Sequence, residues 1–86
     1  MATYKIVLTS AARRDLRSLP RSIVRRVDAK LLGLGKDPRP QDAKKLRDRD
    51  ELLRVRVGDY RILYRVEDDR LVVLVVRIGH RREVYR

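Results

Sequence analysis

The 86 residues contain no cysteine. That excludes a disulfide framework, a thiol nucleophile and a cysteine-ligated zinc. There is a single histidine, His80, so no two-histidine metal site can form within one chain. No run approaches the ~20 apolar residues of a membrane span, and the amino terminus lacks the charged-then-apolar design of a secretion signal. Glycine-rich phosphate loops, internal repeats and low-complexity tracts are also missing. These absences predict a cytoplasmic protein with no cysteine-ligated or two-histidine metal site.

What the chain has instead is positive charge. Lys and Arg number 23 against 12 Asp and Glu, a net charge of +11 with a pI of about 11.0. Eighteen of the cations are arginine and five are lysine. Arginine presents a planar fork that grips phosphate bidentately, so this bias points to phosphate contacts more than to solubilising charge. Both parts of the chain are basic: residues 1–51 carry 14 positive and 7 negative charges, residues 52–86 carry 9 and 5. Nucleic acid is the first candidate partner and an acidic protein the second. Hydrophobic residues at 43% suffice for one core. Residues 1–86 therefore read as one domain, small enough to bury only roughly 60–65% of its unfolded surface.

Thr3–Leu8 alternates Tyr4, Ile6 and Leu8 against Lys5 and Val7, which predicts a strand with one buried face. Thr9 or Ser10 can cap a helix over Ala11–Leu19, whose apolar positions Ala12, Leu16 and Leu19 share a side. Pro20 ends it and suits the first turn of a second helix. Ile23, Val27, Leu31 and Leu34 recur at helical spacing over Ser22–Leu34, stopped by Gly35 and Asp37-Pro38. The short link favours an antiparallel helix pair. The arginines of both helices read as solvated faces. Lys36–Glu51 has no sustained period and reads as a surface connection, with Lys44 and Lys45 as candidate contributors to a positive surface.

Leu53–Tyr64 is the most informative stretch. Gly58-Asp59 fits a two-residue hairpin turn of type II′ or I′. Val57 then pairs with Tyr60, Val55 with Ile62 and Leu53 with Tyr64 on one apolar face. On the other face Arg56 lies across from Arg61, and Arg54 across from Leu63. Directly opposed like charges destabilise a sheet, so folding does not call for this pairing. An anionic partner lying on the sheet does. Leu71–Ile78 predicts a further strand. A three-residue loop at Glu67–Arg70 would put Tyr60, Ile62, Tyr64, Leu74, Val76 and Ile78 on the core face, with Arg61 and Arg77 opposite. Gly79 would then bend the chain, so that His80, Arg81, Arg82 and Tyr85 leave the sheet beside the arginines. Covering the apolar face with the two helices gives an α+β class. The expected architecture is a two-layer β-α-α-β-β-β domain, an antiparallel sheet with two helices on one face.

The motif GDYRILY, followed after one strand by GHRREVYR, resembles the RelE toxins of type II toxin–antitoxin pairs. The similarity extends over the helices and the PRPQDAKKL connection. It implies a metal-independent endoribonuclease that cuts messenger RNA in the ribosomal A site, with the substrate's own 2′-hydroxyl attacking the adjacent phosphate. It also implies an acidic RelB-like antitoxin and a toxin–antitoxin hetero-oligomer, with the ribosome and mRNA as further partners. Matched onto this sequence, the implied catalytic set is Arg54, Arg56, Arg61, Arg81 and Tyr85, with His80 as a further proton-transfer candidate. Lys44, Lys45, Arg77 and Arg82 join as RNA-binding residues. Such chemistry needs cations around a phosphorane-like transition state, a base for the 2′-hydroxyl and an acid for the leaving oxygen.

The chain departs from the pattern in two places. Arg54 and Arg56 stand where several RelE toxins carry lysine, and arginine does not release its proton. Leu53 stands where an aromatic residue is frequent. Tyr85 is the expected proton-transfer group, because nearby arginines would stabilise its phenolate. Glu83 and Glu51 are weaker candidates. ParE-like toxins, which bind DNA gyrase, share the implied fold and supply the competing function. A catalytically inactive nucleic-acid-binding domain is a third reading.

Overall fold

Strand β1, Lys5–Leu8, turns at Thr9 into helix α1, Ser10–Arg17; the computed structural model describes residues 3–46 and 49–80. The Thr9 hydroxyl accepts a hydrogen bond from the Ala12 amide at 3.1 Å. This satisfies one of the donors that every helix start leaves open. Pro20 stands at the N-cap of α2, Arg21–Lys36, one place earlier than the sequence suggests. Four strands complete the fold: β2 Lys44–Leu46, β3 Arg49–Val57, β4 Tyr60–Glu67 and β5 Val72–His80.

The strands form one sheet in the order β1-β5-β4-β3-β2. The α+β plan with a β3–β4–β5 antiparallel meander is as the sequence predicts. Two features differ. β1 joins β5 in parallel, which makes the sheet mixed, and β2 adds a fifth strand antiparallel to β3. Three residues are too few to show an alternation, so β2 was hidden within the predicted surface connection.

The helices cover one face. Ala12, Val27, Leu31 and Leu34 pack with Val55, Val57, Ile62, Tyr64, Val73, Val75 and Ile78 into one buried cluster. α1 rests mainly on β5, whereas α2 lies over β1 and β3. At the end of α2 the Tyr4 amide donates to the Gly35 carbonyl at 2.8 Å. A Cβ at position 35 would sit 3.1 Å from the Tyr4 carbonyl oxygen, so the close approach of helix and strand uses the missing side chain.

The β3–β4 register agrees with the sequence reading at every pair, including Arg56 opposite Arg61. Gly58 carries φ +59 and Asp59 has no positive φ, which selects the type II′ turn. The β4–β5 register does not agree throughout. Glu67 pairs with Val72, so the connecting loop holds four residues and closes through Leu71 at φ +53. Tyr64 then pairs with Val75 and Val66 with Val73. Val73 and Val75 therefore take the core places predicted for Leu74 and Val76. A bulge at Val76 restores the predicted parity, so that Leu63 meets Arg77 and Ile62 meets Ile78.

Thr9 stabilises the bulge. Its amide donates to the Val75 carbonyl at 3.0 Å and its hydroxyl to the Val76 carbonyl at 2.8 Å. Both carbonyls thus face the same neighbour, an arrangement a regular strand cannot offer but a bulge can. Nor does the chain bend at Gly79. β5 continues, with Gly79 opposite Arg61 and His80 opposite Tyr60.

Candidate nucleic-acid interface

Alternation along each strand decides which side chains share the face away from the helices. Two rows cross it. One runs Lys44, Arg54, Leu63, Arg77 from β2 to β5, and the other runs Arg56, Arg61, Gly79 from β3 to β5. Side chains directly opposite stand about 4.5–5.5 Å apart at Cβ, so the cations are crowded. Lys44, Arg54 and Arg56 line a depression of about 250 Å³, with Asp42 at its rim. Arg61 is 7% exposed, the one buried charged residue among those described, and Gly79 puts no side chain opposite it. Leu63, 5% exposed, separates the Arg54 and Arg77 ends of its row.

The connection between α2 and β2 is tied down before it enters this site. The buried Tyr64 donates its hydroxyl to the Pro38 carbonyl at 2.8 Å. Burial, followed by the Asp42 charge, pushes the Tyr64 phenol up to about 12. Arg39 grips Asp68 on the β4–β5 turn through two hydrogen bonds, 3.0 and 2.8 Å, and the Tyr4 hydroxyl donates to the same carboxylate at 2.7 Å. These bonds, the Arg39 ones foremost, hold the Asp68 carboxyl down at about 2. Lys30 of α2 pairs with Asp42 at 2.6 Å and keeps that carboxyl below its ordinary range. Asp42 is thus a fixed anion at the rim and a poor proton acceptor.

The structure divides the residues singled out from the sequence. Lys44, Arg54, Arg56 and Arg61 come together. Lys45 pairs with Leu53, whose face is the helix side, so it points away from Lys44. Arg77 lies on the open face, but its guanidinium donates to Asp15 of α1 at 2.8 and 3.2 Å, and Asp15 also accepts from the Ile78 amide at 2.9 Å. Its charge is therefore balanced in the free protein. His80 shares the helix side with Tyr60, the two rings meeting edge to face at 5.8 Å. Arg81, Arg82, Glu83 and Tyr85 lie outside the described residues. Sequence reasoning did not find Asp42 or the Arg77–Asp15 pair. The latter joins residues 62 apart, and no local pattern announces it.

Residues 6–85 match the family model described as the ParE toxin of the type II toxin–antitoxin system parDE. The chain is also similar to the toxin RelG of Mycobacterium tuberculosis, 34% identical over 84 residues that cover 96% of this chain and 97% of RelG. The chain belongs to the RelE/ParE toxin family. Its fold resembles a chain of the RelBE2 toxin–antitoxin complex from M. tuberculosis, with a TM-score of 0.82, 34% identity and coverage of 92% and 99% of the two chains. It likewise resembles the isolated E. coli RelE toxin, with a TM-score of 0.80, 28% identity and coverage of 95% and 90%. In this RelE-family toxin, then, the crowded sheet face is the surface that folding alone leaves unexplained. Among the described residues no helix is long and apolar enough to cross a membrane.

Proposed function

We propose that this toxin is a cytoplasmic endoribonuclease that arrests translation by cutting messenger RNA in the ribosomal A site. The observation that carries the reading is the convergence of Lys44, Arg54 and Arg56 on one depression, with Arg61 opposite Arg56. In the proposed step the 2′-oxygen forms a bond to the adjacent phosphorus and the bond to the 5′-oxygen breaks. The 2′-hydroxyl loses its proton to a base, and the departing 5′-oxygen takes one from an acid. Arg54, Arg56 and Arg61 supply charge to the phosphorane-like transition state, where fixed donors in a low-dielectric site act most strongly. They cannot supply the proton traffic. Arg81 and Tyr85 complete the set by family motif, with Tyr85 as the proton-transfer group. His80 and Lys45, whose strand register turns them to the other face, take lesser parts.

A net charge of +11 left uncovered would bind nucleic acid indiscriminately, so an acidic RelB-like antitoxin is the proposed partner in a hetero-oligomer. The similar M. tuberculosis structure is itself a toxin–antitoxin complex. One observation favours a second reading, gyrase as the target: the matching family model is described as a ParE toxin.

Purified toxin added to programmed ribosomes tests the two readings. Message cleavage within the A-site codon is expected, and Tyr85→Phe should slow single-turnover cleavage by roughly 10²–10⁴, the range for a lost acid or base. An uncut message together with inhibited DNA supercoiling would replace the ribonuclease reading with the gyrase one.

A further inference from the structure

The α1 helix carries a second basic surface that the cleavage site does not use. Arg13, Arg14 and Arg17 are exposed and, with Ser10 and Leu16, line an open depression of about 690 Å³. Arg14 and Arg17 are neighbours three apart on the helix surface, and Arg13 and Arg17 four apart, spacings at which like charges repel. The helix dipole offsets some of this for Arg14 and Arg17, which occupy the last turn. It offers nothing comparable to Arg13. The acid that would neutralise the helix, Asp15, is turned inward to Arg77 and the Ile78 amide, and the first turn holds no other. Among the described residues, none of the three arginines has a carboxylate partner. The solvated face expected from the sequence is thus a cluster of three uncompensated guanidinium groups around one depression.

We propose that this α1 surface is a second RNA contact, gripping the phosphate backbone away from the scissile phosphate. The proposal rests on the reading of an RNA target. Its place in the fold fits. α1 packs on β5 from the helix-covered side, whereas the cleavage face lies on the other side of the sheet, centred on β2, β3 and β4. RNA reaching both would pass round the end of β5 that β1 leaves unpaired, where Arg77 of the open face meets Asp15 of α1; along the sheet β5 and β2 lie three strand spacings apart, about 14 Å. A strand of RNA reaching both surfaces would be held at one and cut at the other. The lining decides the partner class. It has no aromatic ring for stacking and a single half-buried leucine, so it lacks both base readout and the apolar anchors of a protein interface. Guanidinium forks facing solvent match phosphate oxygens.

The test is binding of a fluorescein-labelled, fully 2′-O-methylated RNA hairpin, which the enzyme cannot cut, between 50 and 200 mM KCl. The variant replaces Arg13, Arg14 and Arg17 with Gln, a residue of good helix propensity. Losing three phosphate contacts should flatten the slope of log affinity against log salt by about 2. The wild type should then lose roughly fifteenfold more affinity than the variant over that salt range. Lysine at the three positions should restore most of the slope. Removing three cations from α2 instead, Arg21→Gln, Arg25→Gln and Lys36→Gln, should change the slope by less than half as much. Equal effects from the two triple variants would reduce the α1 surface to bulk charge and overturn the proposal. So would an α1 variant that binds RNA as the wild type does but no longer binds its antitoxin. A wild-type protein that binds no RNA at all would sink the ribonuclease reading itself, a result distinct from either.

Discussion

Arg56 and Arg61 face each other across two strands yet are not equivalent. Arg56 is exposed, whereas Arg61 is buried, with only 7% of its surface exposed. The sequence suggests that removing either would relieve a like-charge clash at no cost to folding. The structure limits that to Arg56. Truncating Arg61 would also empty a packed volume, and its loss would mix folding with function. Arg56→Ala is therefore the clean experiment. Its urea midpoint should match or exceed that of the wild type, while cleavage on the ribosome falls by roughly 10²–10³, as for one lost transition-state donor. Lower stability accompanying the lost activity would mean that Arg56 serves the fold.

At the scale of elements, the α2–β2 connection is held by Tyr64, whose hydroxyl reaches Pro38 from β4. Burial raises this phenol from 10.0 to about 12. The folded state therefore keeps the proton at a pH where the unfolded chain has lost it. The sign follows directly: the stabilisation is complete below pH 10 and disappears as pH climbs towards 12. Chemical denaturation at pH 9, 10 and 11 should show wild-type stability falling more steeply than that of Tyr64→Phe. The variant should start about 1 kcal/mol lower through loss of the hydrogen bond. Parallel curves would mean that the phenol ionises freely in the folded protein.

Across the whole molecule, Asp68 gathers groups from three distant stretches of chain, Tyr4, Arg39 and the β4–β5 turn. Its carboxyl lies near 2 rather than 3.8 because Arg39, then Tyr4, hydrogen-bond to the ionised form. A depressed carboxyl contributes stability above its unfolded value and loses it as pH falls through the folded one. Acid unfolding followed by circular dichroism should thus be steep between pH 4 and 2 in the wild type and shallower in Asp68→Asn. If the two curves coincide in slope, the cluster is a surface contact that does not couple the three segments.

The sequence alone determined the β3–β4 hairpin, because a glycine-first turn fixes the register and the register fixes both faces at once. From that came the buried row Val55, Val57, Ile62 and Tyr64 and the opposition of Arg56 to Arg61. The two helices were equally legible, since a repeat of Ile23, Val27, Leu31 and Leu34 has only one way to face a core. The β4–β5 register needed tertiary structure, because a four-residue loop followed by a bulge cancels in parity and leaves no trace in the alternation. Only Thr9, reaching Val75 and Val76 from the other end of the chain, reveals it. Pairing over such distances also decided that β1 lies parallel beside β5 and that Lys44, not Lys45, joins Arg54. It likewise set Asp15 against Arg77, leaving three arginines of α1 facing solvent. Local periodicity sets which way a side chain points. Outside the hairpin, where Arg56 and Arg61 lie within one short window, a pair such as Asp15 and Arg77 is set by contact between residues far apart in sequence.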